Sequence, residues 1–85
     1  MNKNQINILI LDDDASSREA LKEIVKRAGF KSTLADKAES ALNAVRIKPI
    51  HAAIVDCMLP KKNGVSLVEE LRQSRFGQAP VILVS

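Results

Sequence analysis

Tryptophan and tyrosine are absent from these 85 residues, and phenylalanine occurs only twice. With so few aromatic faces the chain has no platform for stacking bases. Its lysines and arginines are scattered and often interleaved with acids, so the net charge of +3 reads as solvated surface rather than a nucleic-acid footprint. Cysteine occurs once, as Cys57, which excludes an internal disulfide; together with the lack of a secretory signal pattern this points to a reducing cytoplasm. No apolar run approaches the roughly 20 residues that a membrane span requires, so no membrane partner is expected. Low-complexity tracts and internal repeats are also missing. What remains is a single domain, residues 1–85, with 46% hydrophobic residues. A chain this short buries only about 60 to 65% of the surface its unfolded form exposes, so its stability margin is thin.

Periodicity organises the chain into alternating elements. Ile6 to Leu11 is a strand signal that stops at Asp12-Asp13-Asp14. From Ala15 the period changes: Leu21, Ile24, Val25 and Ala28 fall on one face of an amphipathic helix, with Asp14 or Ser16 as its cap and Gly29 placed to end it in the left-handed conformation. Lys31 to Ala35 is a more polar strand, suited to a sheet edge. Asp36 followed by Glu39 predicts a capping box for a second helix carrying Ala38, Ala41, Leu42 and Val45. After Pro49 comes the unbroken apolar run Ala52 to Val55, which ends on Asp56. Beyond Gly64, the residues Val65, Val68 and Leu71, with Leu67 beside them, predict a third helix, and Pro80 to Ser85 a fourth strand. This β-α-β-α-β-α-β order implies a parallel α/β sheet with right-handed crossovers.

Such sheets bind ligands at the carboxyl ends of their strands, and the strand-end residues here are acids. If the first and third strands are neighbours, Asp12, Asp13 and Asp56 converge. Carboxylates crowded in this way repel, and a cation relieves the repulsion. An oxygen-only set with room for waters favours Mg²⁺. A carboxylate beside a bound cation can act as nucleophile toward a phosphoryl group and form an acyl phosphate. Asp56 is the expected nucleophile, Asp12 and Asp13 the metal-site acids, and the backbone carbonyl of Met58 a further ligand.

These residues resemble the receiver domain of bacterial two-component response regulators. The resemblance is carried by the acid pair after the first strand (Leu9-Ile10-Leu11-Asp12-Asp13), an acceptor Asp ending the third, the Asp56/Pro60/Gly64 spacing, and a hydroxyl residue ending the fourth (Val84-Ser85). It implies a flavodoxin-like fold with helices on both faces of the sheet and strand order 2-1-3-4, cut off before the family's fifth strand and last two helices. It also implies phosphorylation of Asp56 by the phosphohistidine of a histidine kinase or phosphotransfer protein. Mg²⁺ would be held by Asp13, Asp56 and the Met58 carbonyl with Asp12 in support, and Ser85 would serve as the switch hydroxyl. On this reading the chain is a phosphoacceptor rather than a turnover enzyme. The family's lysine after the fifth strand has no counterpart in these residues, and Lys61 and Lys62 read as loop surface. The uncovered sheet edge is expected to drive self-association as a homodimer or larger species.

Two other readings compete. One is a non-phosphorylated interaction or folding module that uses the same exposed edge. The other is a haloacid-dehalogenase-like phosphatase fragment with Asp12 as nucleophile, suggested by Asp12-Asp13-Asp14-Ala15-Ser16; that family has no need of the Asp56/Pro60/Gly64 pattern. Cys57 reads as a small buried hydrophobe, His51 as structural or surface, and Asp14 as a cap rather than a ligand.

Overall fold

A computed structural model gives the architecture; it describes residues 2–56, 64–74, 77 and 79–84. After a 3-10 turn at Lys3–Gln5, the chain runs β1 (Asn7–Leu11), α1 (Ala15–Arg27), β2 (Lys31–Ala35), α2 (Ala38–Ile47), β3 (Ala52–Asp56), α3 (Gly64–Arg72) and β4 (Val81–Val84). The four strands form one sheet in the order β2-β1-β3-β4, and every neighbouring pair is parallel. The parallel α/β sheet expected from the alternation is therefore present, in the strand order that the receiver resemblance implies, with the polar β2 at one edge.

Strand alternation divides the apolar side chains between two faces. Leu9, Leu11, Ala35, Ala53 and Val55 pack with Ala41, Ala44 and Val45 of α2 and with Leu67 and Leu71 of α3. This is the main core. Ile10 is also fully buried, on the opposite face, where α1 lies against β1 and β2 and contributes the buried Val25. That second face is thinly covered: Ile24 of α1 is 63% exposed and Ile82 of β4 is 60% exposed. Of the four residues expected to form the inner stripe of α1, then, only Val25 is buried, Leu21 is half-buried, and Ile24 and Ala28 face outward. The periodicity correctly marks a helix, but α1 packs chiefly on β1 and β2, too narrow a surface to cover a full apolar stripe.

The other two helices also differ in detail from expectation. In α3 the buried stripe is Leu67 and Leu71, one turn apart, while Val65 is exposed. The i, i+4 pair faces α2, and the i, i+3 series Val65/Val68/Leu71 drifts around the helix away from it. In α2 no capping box forms. The N-cap position is Lys37, which makes no side-chain cap, and Asp36 lies one residue too early, accepting a hydrogen bond from the Ser40 hydroxyl (3.3 Å).

The end of α1 is as anticipated. Gly29 has φ of 95°; its N–H donates to the Lys26 carbonyl (3.0 Å), and the Phe30 N–H donates to the Val25 carbonyl (3.2 Å). This is the Schellman pattern, which needs a left-handed residue where only glycine is unstrained.

Candidate acidic phosphoacceptor site

Asp12 follows β1 directly and Asp56 is the last residue of β3. The β1–β3 register pairs Leu11 with Val55, so the next residue on each strand is an acid at the same carboxyl edge. One oxygen from each of Asp12, Asp13 and Asp56 can be chosen so that all three lie within 4.8 Å of one another. The three residues expected to converge do so. Asp12 is nearly buried at 6% exposure, Asp56 is half-buried and Asp13 is exposed, so the cluster opens to solvent on the Asp13 side.

Local hydrogen bonds shape the loop that carries the acid pair. The Asp12 N–H extends the sheet ladder by donating to the Ala35 carbonyl (3.1 Å). The Asp14 N–H donates to Asp12 Oδ1 (2.9 Å), and Asp14 Oδ2 in turn accepts from the Ser17 N–H (2.8 Å). Asp14 is thus the N-cap of α1, outside the three-acid cluster. The Ser17 backbone hydrogen bond, the Ser17 side chain and, to a smaller extent, the Arg18 charge hold the Asp14 carboxyl below its ordinary value of 3.8. A depressed carboxyl contributes stability that is fully present above its unfolded value and is lost as pH falls through the folded value. Asp14→Ala is therefore expected to lower the urea midpoint at neutral pH, with the gap to the parent narrowing once the pH drops below 3.8. Parallel unfolding curves across that range check it; a gap that stays constant would remove the charged cap from the account.

The donor set fits a hard divalent cation. It consists of oxygen alone, three carboxylates crowd one edge of the sheet, and the Asp14 N–H steadies the Asp12 carboxylate through Oδ1. Met58 and Ser85, the remaining expected site residues, lie outside the described residues, as do Cys57, Pro60, Lys61 and Lys62.

Two contacts near this framework were not foreseen. Arg18, one turn into α1, donates from Nη1 to the Asp12 carbonyl (2.8 Å); a basic residue so soon after an acid loop was the available signal. At the far end of the sheet, His51 Nδ1 accepts from the Asn7 N–H (2.9 Å) while the His51 N–H donates to the Asn7 carbonyl (2.9 Å). His51 is thereby a structural link between β1 and the start of β3, one of the two roles expected of it.

A sequence profile of the response regulator receiver domain matches residues 8–85. The transcriptional regulatory protein CpxR of Klebsiella pneumoniae is 39% identical over 78 residues, covering 92% of this chain and 32% of CpxR. The chain spans about a third of the length of such curated relatives. Among solved structures, a response regulator receiver protein from Pseudomonas putida superposes with a TM-score of 0.87 at 31% identity, covering 94% of this chain and 67% of that one. A CheY-like receiver domain from Methylobacillus flagellatus superposes with a TM-score of 0.88 at 27% identity, covering 94% and 69%. These likenesses favour the receiver reading over the phosphatase one.

Proposed function

Because the chain belongs to the response regulator receiver domain family, we propose that it accepts a phosphoryl group on Asp56 from the phosphohistidine of a histidine kinase or phosphotransfer protein, in a Mg²⁺-dependent step. The observation that carries this reading is the convergence of Asp12, Asp13 and Asp56 at the carboxyl edge of β1 and β3. An Asp56 oxygen attacks phosphorus as the bond from phosphorus to the donor imidazole nitrogen breaks, leaving an acyl phosphate on Asp56 and a free histidine on the donor. A carboxylate attacks without surrendering a proton, so the step calls for no general base.

Asp12, Asp13, Asp56 and the Met58 carbonyl are the proposed protein ligands of the cation, and Ser85 is the proposed switch hydroxyl. When bound, Mg²⁺ supplies the positive charge that lets an anionic phosphoryl group approach these carboxylates. The chain's own part is to hold them together on a rigid sheet edge. It acts as a phosphoacceptor that catalyses its own loading and unloading rather than as a turnover enzyme. No helix among the described residues is long and apolar enough to cross a membrane. The proposed site of action is the cytoplasm, with no direct membrane or nucleic-acid partner for these residues. The exposed β4 edge supports a further partner, a second copy of the same 85 residues.

Mg²⁺ titration followed by backbone amide shifts tests the metal assignment. The amides of Asp12, Asp13 and Met58 are expected to move, and Asp13→Asn is expected to weaken the apparent affinity at least about tenfold, the usual scale for a lost ligand or its support. Perturbations of unchanged size in Asp13→Asn would remove Asp13 from the ligand set.

A further inference from the structure

We propose that Arg18 is a positioning residue for the acidic site, acting on Asp13 through the backbone on either side of it; the inference rests on the cation-binding reading above. Asp13 is exposed, so packing does not set its direction. What sets it is the pair of peptide planes that meet at its Cα. The plane joining Asp12 to Asp13 presents the Asp12 carbonyl, which accepts from Arg18 Nη1 at 2.8 Å. The plane joining Asp13 to Asp14 presents the Asp14 N–H, which donates to Asp12 Oδ1 at 2.9 Å. Upstream, the Asp12 N–H is tied to β2 through the Ala35 carbonyl. Of the two planes flanking Asp13, one is therefore held by Asp12 itself and the other by Arg18. Arg18 is in turn fixed by the first turn of α1, its own N–H donating to the Asp14 carbonyl (2.9 Å). The guanidinium thus locks the rotation that aims the Asp13 carboxylate at Asp12 and Asp56.

Charge and positioning make opposite predictions. A guanidinium near a divalent cation repels it, so on charge alone Arg18→Met should tighten Mg²⁺ binding. Positioning requires the reverse. In the intact chain, Arg18→Met is expected to raise the apparent Mg²⁺ dissociation constant about tenfold, the scale of a lost second-layer support, and to speed hydrogen exchange of the Asp14 amide in metal-free protein. Arg18→Gln, which cannot span the same distance, is expected to weaken binding in the same direction, and it carries the test if Arg18→Met does not fold. Arg18→Lys, which keeps the charge and one donor, falls between Arg18→Met and the parent. Arg27→Met, which removes a charge from the exposed far end of the same helix, leaves the constant within about twofold. Tightened or unchanged Mg²⁺ binding in both neutral Arg18 variants would overturn the proposal. If Asp13→Asn still weakened the apparent Mg²⁺ affinity in that case, the metal reading would stand and only the role of Arg18 would fall.

Discussion

Asp56→Asn is expected to abolish phosphoryl uptake while leaving the fold intact. The side chains are nearly isosteric, and Asp56 ends a strand whose inward neighbour Val55 is fully buried, so the substitution changes chemistry more than packing. An amide oxygen cannot become the bridging oxygen of an acyl phosphate, which makes the loss one of mechanism rather than degree, at least roughly a thousandfold in rate. Incubation with acetyl phosphate and Mg²⁺, followed by intact-mass analysis, provides the measurement. The parent should gain one phosphoryl group that survives acid and is lost in base, and Asp56→Asn should gain none. A label retained in Asp56→Asn would move the acceptor elsewhere. Thermal unfolding without metal separates function from folding. Removing one of three crowded carboxylates relieves like-charge repulsion, so Asp56→Asn should unfold at the same temperature as the parent or higher.

The second large effect concerns association. A polypeptide of these 85 residues is expected to form dimers or larger species as its concentration rises. β4 lies at the end of the sheet, and its outward backbone groups form a template for another strand. Ile82 is 60% exposed and Leu83 44% exposed, and Ile24 adds apolar surface on the face covered by α1. Burying such side chains is worth about 1.5 to 3 kcal/mol each, comparable in sum to the whole stability of a small domain. Two copies that pair their edge strands or exchange elements would satisfy both the unpaired backbone and the exposed side chains, and a two-fold dimer is the commonest closed arrangement. Sedimentation and light scattering across about a hundredfold range of concentration should show a rising mean mass. Ile82→Lys, which places a charge on the edge strand and removes an apolar contact, should raise the dissociation constant at least about tenfold. A sharp monomer at every concentration, with no binding of a dye that reports exposed apolar surface, would refute the association.

Most element boundaries were legible because each rests on a local signal. The change from the apolar residues Ile8 to Leu11 to a helical period at Asp12–Ala15 marks the end of β1 and the start of α1. Gly29 ends that helix for a reason contained in its own backbone. Where a signal depended on what lies opposite, it gave less. The spacing of Val65, Leu67, Val68 and Leu71 shows that they belong to a helix, but the position of α2 decides that Leu67 and Leu71 turn inward. At α2 the N-cap is Lys37, one residue beyond the Asp36 that the capping pattern points to, because local spacing alone does not determine which residue takes the extended N-cap conformation.

The chemical character of the site was written in the chain: an acid pair after one apolar run and a single acid after another, with only oxygen donors to offer a ligand. The chain alone leaves open whether those acids meet, since Asp12 and Asp56 are far apart in sequence. Tertiary structure decided it by placing β1 beside β3 in parallel register, which brings two carboxyl ends to one edge. It also decided the links from Arg18 to the Asp12 carbonyl and from His51 to Asn7. Side-chain identity limits which bonds a residue can make, but hydrogen bonds act over about 3 Å, and only the folded backbone brings donor and acceptor within that distance.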